Sequence, residues 1–330
     1  MSLSFAISPH EIHSAAALIR GVAVRTPLLE FEALNERAGR RVLVKFEGAQ
    51  RTGSFKFRGA FNRLARLDDE AKAGGVVAYS SGNHAQGVAA AARLLGIPAT
   101  IVMPADAPGI KIANTRALGA EVVFYDRSTD SREQIAADLA VQRRATLVPS
   151  FDDPFVIAGQ GTVGLELVEQ VHDVGALLAG VFVPCGGGGL VAGVATAVKD
   201  LAPDADVYAV EPAGFDDTAM SLKSGHRETV SKGATSICDA LLAPSPGELT
   251  FPILKRLLSG GLVVTDDQVR AAMKFAFEKM KLVIEPGGAV ALAAALTGQG
   301  KMGTGALAVV VSGSNVDPGL YSGVIGGSAG

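Results

Sequence analysis

From Val174 to Val198 the chain carries no charged side chain, and Pro184 with Gly186, Gly187, Gly188 and Gly189 breaks that apolar run in its middle. The run is long enough to cross a bilayer, but four consecutive glycines at its centre would leave backbone groups unpaired in lipid. A buried strand, a tight loop and a buried helix use all three parts, because strands covered on both faces by helices read as continuous apolar runs. The same alternation recurs along the chain. Apolar runs at 42–46, 75–79, 99–103, 121–125, 180–183, 206–210 and 307–311 read as strands. Segments with apolar residues at every third or fourth position, best at 82–95, 131–144, 161–171 and 266–282, read as helices. Strands alternating with helices argue for βαβ units around parallel sheets. Ser8, Pro9 and Glu11 read as a capped helix start, with the helix running to about Arg20. Residues 50–148 form one compact α/β block, a small domain, and the flanking segments 1–49 and 149–330 form a large one.

Composition narrows the class of function. A chain of 330 residues that is 48% hydrophobic can bury a sizeable core in about two domains. Charged residues make up 19% and the net charge is -3, so there is no broad positive field to collect nucleic acid or anionic lipid. We therefore expect neither a nucleic-acid nor a membrane partner. Cys185 and Cys238 read as core thiols in a reducing compartment, since no Cys/His cluster accompanies them. The first nine residues lack the basic and apolar pattern of an export signal, and the expected location is the cytoplasm.

Three segments can carry chemistry. Gly186 to Gly189 follow an apolar strand and open an apolar helix, which suits backbone N–H groups wrapped around a phosphate. The spacing is neither a dinucleotide fingerprint nor a P-loop, and a tight structural turn explains the same residues. Lys56 lies between Phe55 and Phe57 at a loop-to-helix junction. Apolar neighbours would lower its pKa and favour the neutral amine that forms an imine with an aldehyde, although a lone lysine is more often solvated. Ser80, Ser81, Gly82, Asn83 and His84 follow the strand ending at Tyr79. Hydroxyls, an amide and free N–H groups at a helix start suit a carboxylate, and an ordinary N-cap reads the same way.

Thr52 to Ala60, Ser80 to His84 and the tetraglycine, in this order, resemble the fold-type II pyridoxal 5′-phosphate (PLP) enzymes, and within them the serine/threonine dehydratase and serine racemase family. The resemblance runs from about Arg25 to Asn315. It implies an α/β fold of two open twisted sheets flanked by helices, similar to the tryptophan synthase β subunit, with the active site between a large and a small domain. Lys56 is similar to the lysine that forms the imine and removes the α-proton. Phe55 resembles the residue packed on the cofactor ring, Asn83 the one bonded to its phenolic oxygen, and Gly186, Gly187, Gly188 and Gly189 the phosphate cradle. Ser312 is similar to the serine at the pyridine nitrogen, where a neutral hydroxyl favours elimination over transamination. Ser81 resembles a hydroxyl on the cofactor face opposite the lysine, used in racemisation. Ser80, Ser81, Gly82, Asn83, His84 and Arg132 resemble the substrate-binding set.

Glu211, Asp217 and a backbone carbonyl between them could hold a hard cation, or form a solvated acidic turn; the resemblance implies Glu211, the Phe215 carbonyl and Asp217 as its ligands. The resemblance implies a site for Mg²⁺, Ca²⁺ or Mn²⁺ there. Ala240 and Ser314 stand where relatives commonly have glycine, and Glu285 before Pro286 either lines the site or caps the next helix. The implied activity is removal of water and then ammonia from a small β-hydroxy amino acid, giving a 2-oxo acid, as in threonine and serine dehydratases. A serine racemase, and a dehydratase of hydroxyaspartate or of a hydroxyectoine-derived substrate, are alternatives on the same fold. The implied assembly is a homodimer or homotetramer. A catalytically silent protein that binds a nucleotide at the glycines is the reading from another class.

Overall fold

Successive side chains of the central strands enter opposite apolar clusters, which divides the core into layers. The computed structural model describes residues 5–80, 82–107 and 109–327, without the side chain of Ile110. Its strands are β1 (Leu28–Glu30), β2 (Val42–Phe46), β3 (Val76–Tyr79), β4 (Ala99–Pro104), β5 (Glu121–Tyr125), β6 (Thr146–Leu147), β7 (Leu178–Pro184), β8 (Asp206–Pro212), β9 (Gly260–Val264) and β10 (Ala306–Val311). Among the described residues they form a six-stranded sheet in the order β1-β2-β10-β7-β8-β9 and a four-stranded sheet in the order β5-β4-β3-β6.

In the larger sheet β7 and β10 are buried along their whole length. Val181, Val183, Ala308 and Val310 point into one apolar cluster with the helices Pro154–Asp173 and Gly189–Leu201. Their neighbours Phe182, Leu307, Val309 and Val311 point into another with Asp266–Phe275 and Pro286–Leu296. Period-2 alternation with apolar residues on both faces marks a sheet covered by helices on both sides. All pairings are parallel except that of β1 with β2. The smaller sheet is parallel throughout. The helix Lys56–Ala65 packs on both Asn83–Leu95 and Pro154–Asp173.

The expected strands are all present, and β1, β6 and β9 are additional. β1 and β6 have three and two residues and β9 begins with two glycines, so none shows a periodic signal. The helix expected at 161–171 begins at Pro154, capped by Asp153, whose carboxylate accepts the Val156 N–H at 2.9 Å. Gly159 and Gly161 inside it are buried in helix contacts. The helix expected at 266–282 ends at Phe275 and continues as a π turn, Ala276–Met280. Glu11 closes the first helix as anticipated, accepting the Ser8 N–H at 2.7 Å. Among the described residues no helix is long and apolar enough to cross a membrane.

Candidate active site

Lys56 opens its helix from a loop laid against the segment that follows β10. Ser54 and Gly313 form an antiparallel bridge, the Phe55 N–H donates to the Ser312 carbonyl at 3.1 Å, and the Ser314 N–H donates to the Gly53 carbonyl at 2.9 Å. The lysine and Ser312 are thus held together by backbone bonds. The Lys56 amine donates to the Ser150 carbonyl at 2.7 Å and stands 5.2 Å from the centre of the Phe55 ring. Burial lowers its pKa to about 8, against the opposing pull of the Glu285 carboxylate. The helix Asn83–Leu95 comes close enough that a Cβ on Gly87 would lie 3.1 Å from the Lys56 backbone.

The tetraglycine reaches the same place through Phe151, the residue after Ser150. A Cβ on Gly187 would fall 2.4 Å from the Phe151 ring, and Gly188 takes φ +92 with Leu254 and Thr250 side chains 2.9 Å from where its Cβ would be. Only glycine meets both demands. The Gly187 carbonyl is taken by the Thr250 hydroxyl at 2.8 Å and the Gly247 N–H at 3.1 Å. Among the described residues no backbone carbonyl accepts from the N–H groups of Gly186, Gly187 or Gly188. The Gly188 N–H faces the Cys185 sulfur, and N–H groups at the start of Gly189–Leu201 suit an anion, so these residues fit a phosphate.

The third segment leaves the carboxyl end of β3. The Ser80 N–H donates to the Val102 carbonyl at 3.1 Å, and the Gly82 N–H donates to the Ser80 hydroxyl at 3.2 Å. Ser81 lies outside the described residues. His84 donates from Nε2 to the Val148 carbonyl at 2.9 Å, and its buried Nδ1 has no partner among the described residues. Burial and the nearby Lys56 charge push its pKa down to about 3, so the imidazole is neutral. What His84 can offer a carboxylate is therefore its backbone N–H in the first helical turn. Arg132 donates to Glu133 at 2.8 Å and its guanidinium stands 5.5 Å from the centre of the Tyr79 ring. It sits beside the residue before Ser80, engaged elsewhere.

Asn83 joins the two sheet units. Its amide donates to Glu285 Oε1 at 2.6 Å, and its oxygen accepts from Asn315 Nδ2 at 2.7 Å. Asn315 also donates to the Thr52 carbonyl at 2.7 Å. With both ends engaged, the orientation of the Asn83 amide is set and its second N–H is left for a ligand. Glu285 makes no cap bond to the helix it precedes and is 3% exposed, so it lines the site. Burial and the neighbouring Asp239 carboxylate push its pKa up to about 8, while Asn83 and Lys111 oppose the rise. In sequence Glu285 fits a lining and a capping residue equally, and the residue type of Asn315 offers no signal.

The acidic turn is not solvated. Glu211, at the end of β8, accepts the Thr218 and Ala219 N–H groups at 2.9 and 2.8 Å. Among the described residues, both Asp217 carboxylate oxygens are buried without a partner. Burial raises Glu211 to about 8, helped by repulsion from Asp217, and raises Asp217 to about 7. An orphaned buried carboxylate beside a second one fits a cation.

The Lys56 amine, the tetraglycine loop and the turn after β3 thus lie close together, and known proteins share the whole frame. The family model described as "Pyridoxal-phosphate dependent enzyme" matches residues 19–313. An L-threo-3-hydroxyaspartate ammonia-lyase from Pseudomonas sp is 45% identical over 320 residues, covering 97% of this chain and 99% of the relative. The structure of maize serine racemase superposes with a TM-score of 0.90 at 38% identity, covering 96% of each chain. The processed form of threonine deaminase isoform 2 from Solanum lycopersicum does so with a TM-score of 0.87 at 37% identity, covering 97% of this chain and 94% of that one. With matches of this extent, and a cleft whose donors suit an aldehyde bearing a phosphate, the chain belongs to the pyridoxal-phosphate dependent enzymes.

Proposed function

We propose that the enzyme removes water and then ammonia from L-threo-3-hydroxyaspartate, releasing a 2-oxo acid, with Lys56 as the base. The observation that carries this reading is the Lys56 amine itself. Burial brings its pKa to about 8 on a loop tied to Ser312, one residue contact away from the tetraglycine. An amine with that pKa exists partly in the neutral form near neutral pH and can accept the α-proton of an amino acid. Bound pyridoxal phosphate supplies the electron sink for the bond broken at the α-carbon.

The other residues position and bind. The N–H groups of Gly186 to Gly189 hold the phosphate, and Phe55 flanks the ring. Asn83 presents its free N–H, and Ser312 offers a neutral hydroxyl. Ser80, Gly82 and the first-turn N–H groups at Asn83 and His84 hold the substrate carboxylate, with Arg132 beside them. Ser81 is the candidate for a proton donor on the opposite face. Glu211, the Phe215 carbonyl and Asp217 hold a divalent cation, which relieves the repulsion between two buried carboxylates.

The choice of substrate rests on the Pseudomonas relative, whose name specifies L-threo-3-hydroxyaspartate. A second reading, serine racemase, is favoured by the likeness to the maize enzyme. Incubating the holoenzyme separately with L-threo-3-hydroxyaspartate, L-threonine and L-serine, and measuring 2-oxo acid, ammonia and serine chirality, tests both. The proposal expects equal amounts of 2-oxo acid and ammonia, fastest from hydroxyaspartate. Accumulation of D-serine with little 2-oxo acid from any substrate would replace it with the racemase.

A further inference from the structure

We infer that Lys111 recognises a second carboxylate, on the side chain of the substrate, and that Asp239 occupies its ammonium when no such substrate is present. The inference rests on the amino-acid lyase reading above and names the substrate feature that the site selects. β3 and β4 are parallel neighbours, so their carboxyl ends open on the same edge. The end of β3 leads into Ser80 and Asn83, and the end of β4 leads into the helix Gly109–Ala117, which carries Lys111. Ligands of open parallel sheets bind at that edge.

The turn Asp239–Leu241 packs against the tetraglycine loop and the start of the helix Pro286–Leu296. A Cβ on Gly186 would lie 3.3 Å from Leu241, and one on Gly287 would lie 3.1 Å from the Ala240 side chain. Lys111 donates to Asp239 Oδ2 at 2.8 Å, bridging the two sides, and both residues act electrostatically on Glu285. The pair thus lies close enough to Glu285, the partner of Asn83, to act on its charge. Other cations near this edge are engaged, Lys56 with the Ser150 carbonyl and Arg132 with Glu133.

The two partners differ in exposure. The Lys111 side chain is 17% exposed and that of Asp239 58%. An ammonium so enclosed needs an anion, whereas the Asp239 carboxylate can turn to water at little cost. A carboxylate on the substrate β-carbon can therefore replace or share Asp239, and a methyl group in the same place cannot. One charge-assisted hydrogen bond of this kind corresponds to roughly 10- to 100-fold in affinity.

Succinate and butyrate differ by a distal carboxylate against a methyl group and contain no hydroxyl to eliminate. Calorimetric titration of the holoenzyme with each gives a selectivity ratio independent of turnover. Wild type should favour succinate by at least about tenfold. Lys111→Gln should lose that preference, Lys111→Arg should retain most of it, and Arg132→Gln should lower both affinities together. An unchanged ratio in Lys111→Gln, no preference in wild type, or a ratio lost in Arg132→Gln but kept in Lys111→Gln would overturn the inference. A holoenzyme that prefers succinate through Lys111 yet forms no 2-oxo acid from any β-hydroxy amino acid would instead sink the functional reading and leave this one standing.

Discussion

The Asn83 amide donates to the Glu285 carboxylate at 2.6 Å, joining the helix that follows β3 to the helix that precedes β10. The bond crosses from one sheet unit to the other beside the Lys56 loop, and it makes Glu285 a buried group that Asp239, Lys111 and Lys56 all influence.

Glu285, together with Glu211 and Asp217, should make the apoprotein less stable as pH rises. The Glu285 pKa is about 8 in the folded chain against an ordinary 4.5, so folding takes up a proton between those values. The stability it contributes is complete below about pH 4.5 and is lost as pH rises through 8. Urea denaturation of the apoprotein at intervals from pH 5 to 8 should show stability falling, and Glu285→Gln should flatten that fall. A wild-type slope of zero would contradict the assignment.

The glycine loop should fail on the gain of one methyl group. A Cβ on Gly187 falls 2.4 Å from the Phe151 ring, so Gly187→Ala must displace the ring or the loop. Titrating apoprotein with PLP and following the absorbance should show affinity weakened by at least about tenfold, a cost in the range of overpacking. Affinity for pyridoxal, which lacks the phosphate, should change far less.

A divalent cation should stabilise the fold through Asp217. Adding millimolar Mg²⁺ or Ca²⁺ to chelator-treated protein should raise Tm by a few degrees, on the order expected when a ligand binds only the folded state. Asp217 holds its proton up to about pH 7, so the rise should be larger at pH 8 than at pH 6. Asp217→Asn should abolish the response. An equal response in that variant would place the cation elsewhere.

Arg58 anchors the helix of Lys56. Its guanidinium donates to Glu47 at 2.9 Å and to Glu166 at 2.7 Å, with Lys45 also on Glu166 at 2.7 Å. Both Arg58 and Glu47 are fully buried. Arg58→Ala leaves the buried Glu47 carboxylate without its cation and should cost about 3–5 kcal/mol in chemical denaturation, the range for breaking a buried pair. A loss under about 1 kcal/mol would show that water or rearrangement satisfies Glu47.

Strands such as β7 and β10 were legible in sequence because apolar runs bounded by glycine or proline have one economical use. The short edge strands β1 and β6 were not, since two or three residues carry no period. Within the site, Lys56, Asn83 and the tetraglycine were visible through their local motifs. Glu285 and Asn315 acquire their meaning only from hydrogen bonds to Asn83, more than two hundred residues away in the chain. The Lys111–Asp239 pair is also far apart in the chain and left no local mark. The neutral state of His84 depends on burial against Val148, which no spacing reveals.

Everything turns on the Lys56 amine. Reducing the PLP-loaded enzyme with borohydride and mapping the modified peptide should place the pyridoxyl group on Lys56, and Lys56→Ala should bind PLP without retaining it after reduction. A pyridoxyl group found on another lysine, or undiminished 2-oxo acid production by Lys56→Ala, would contradict the account.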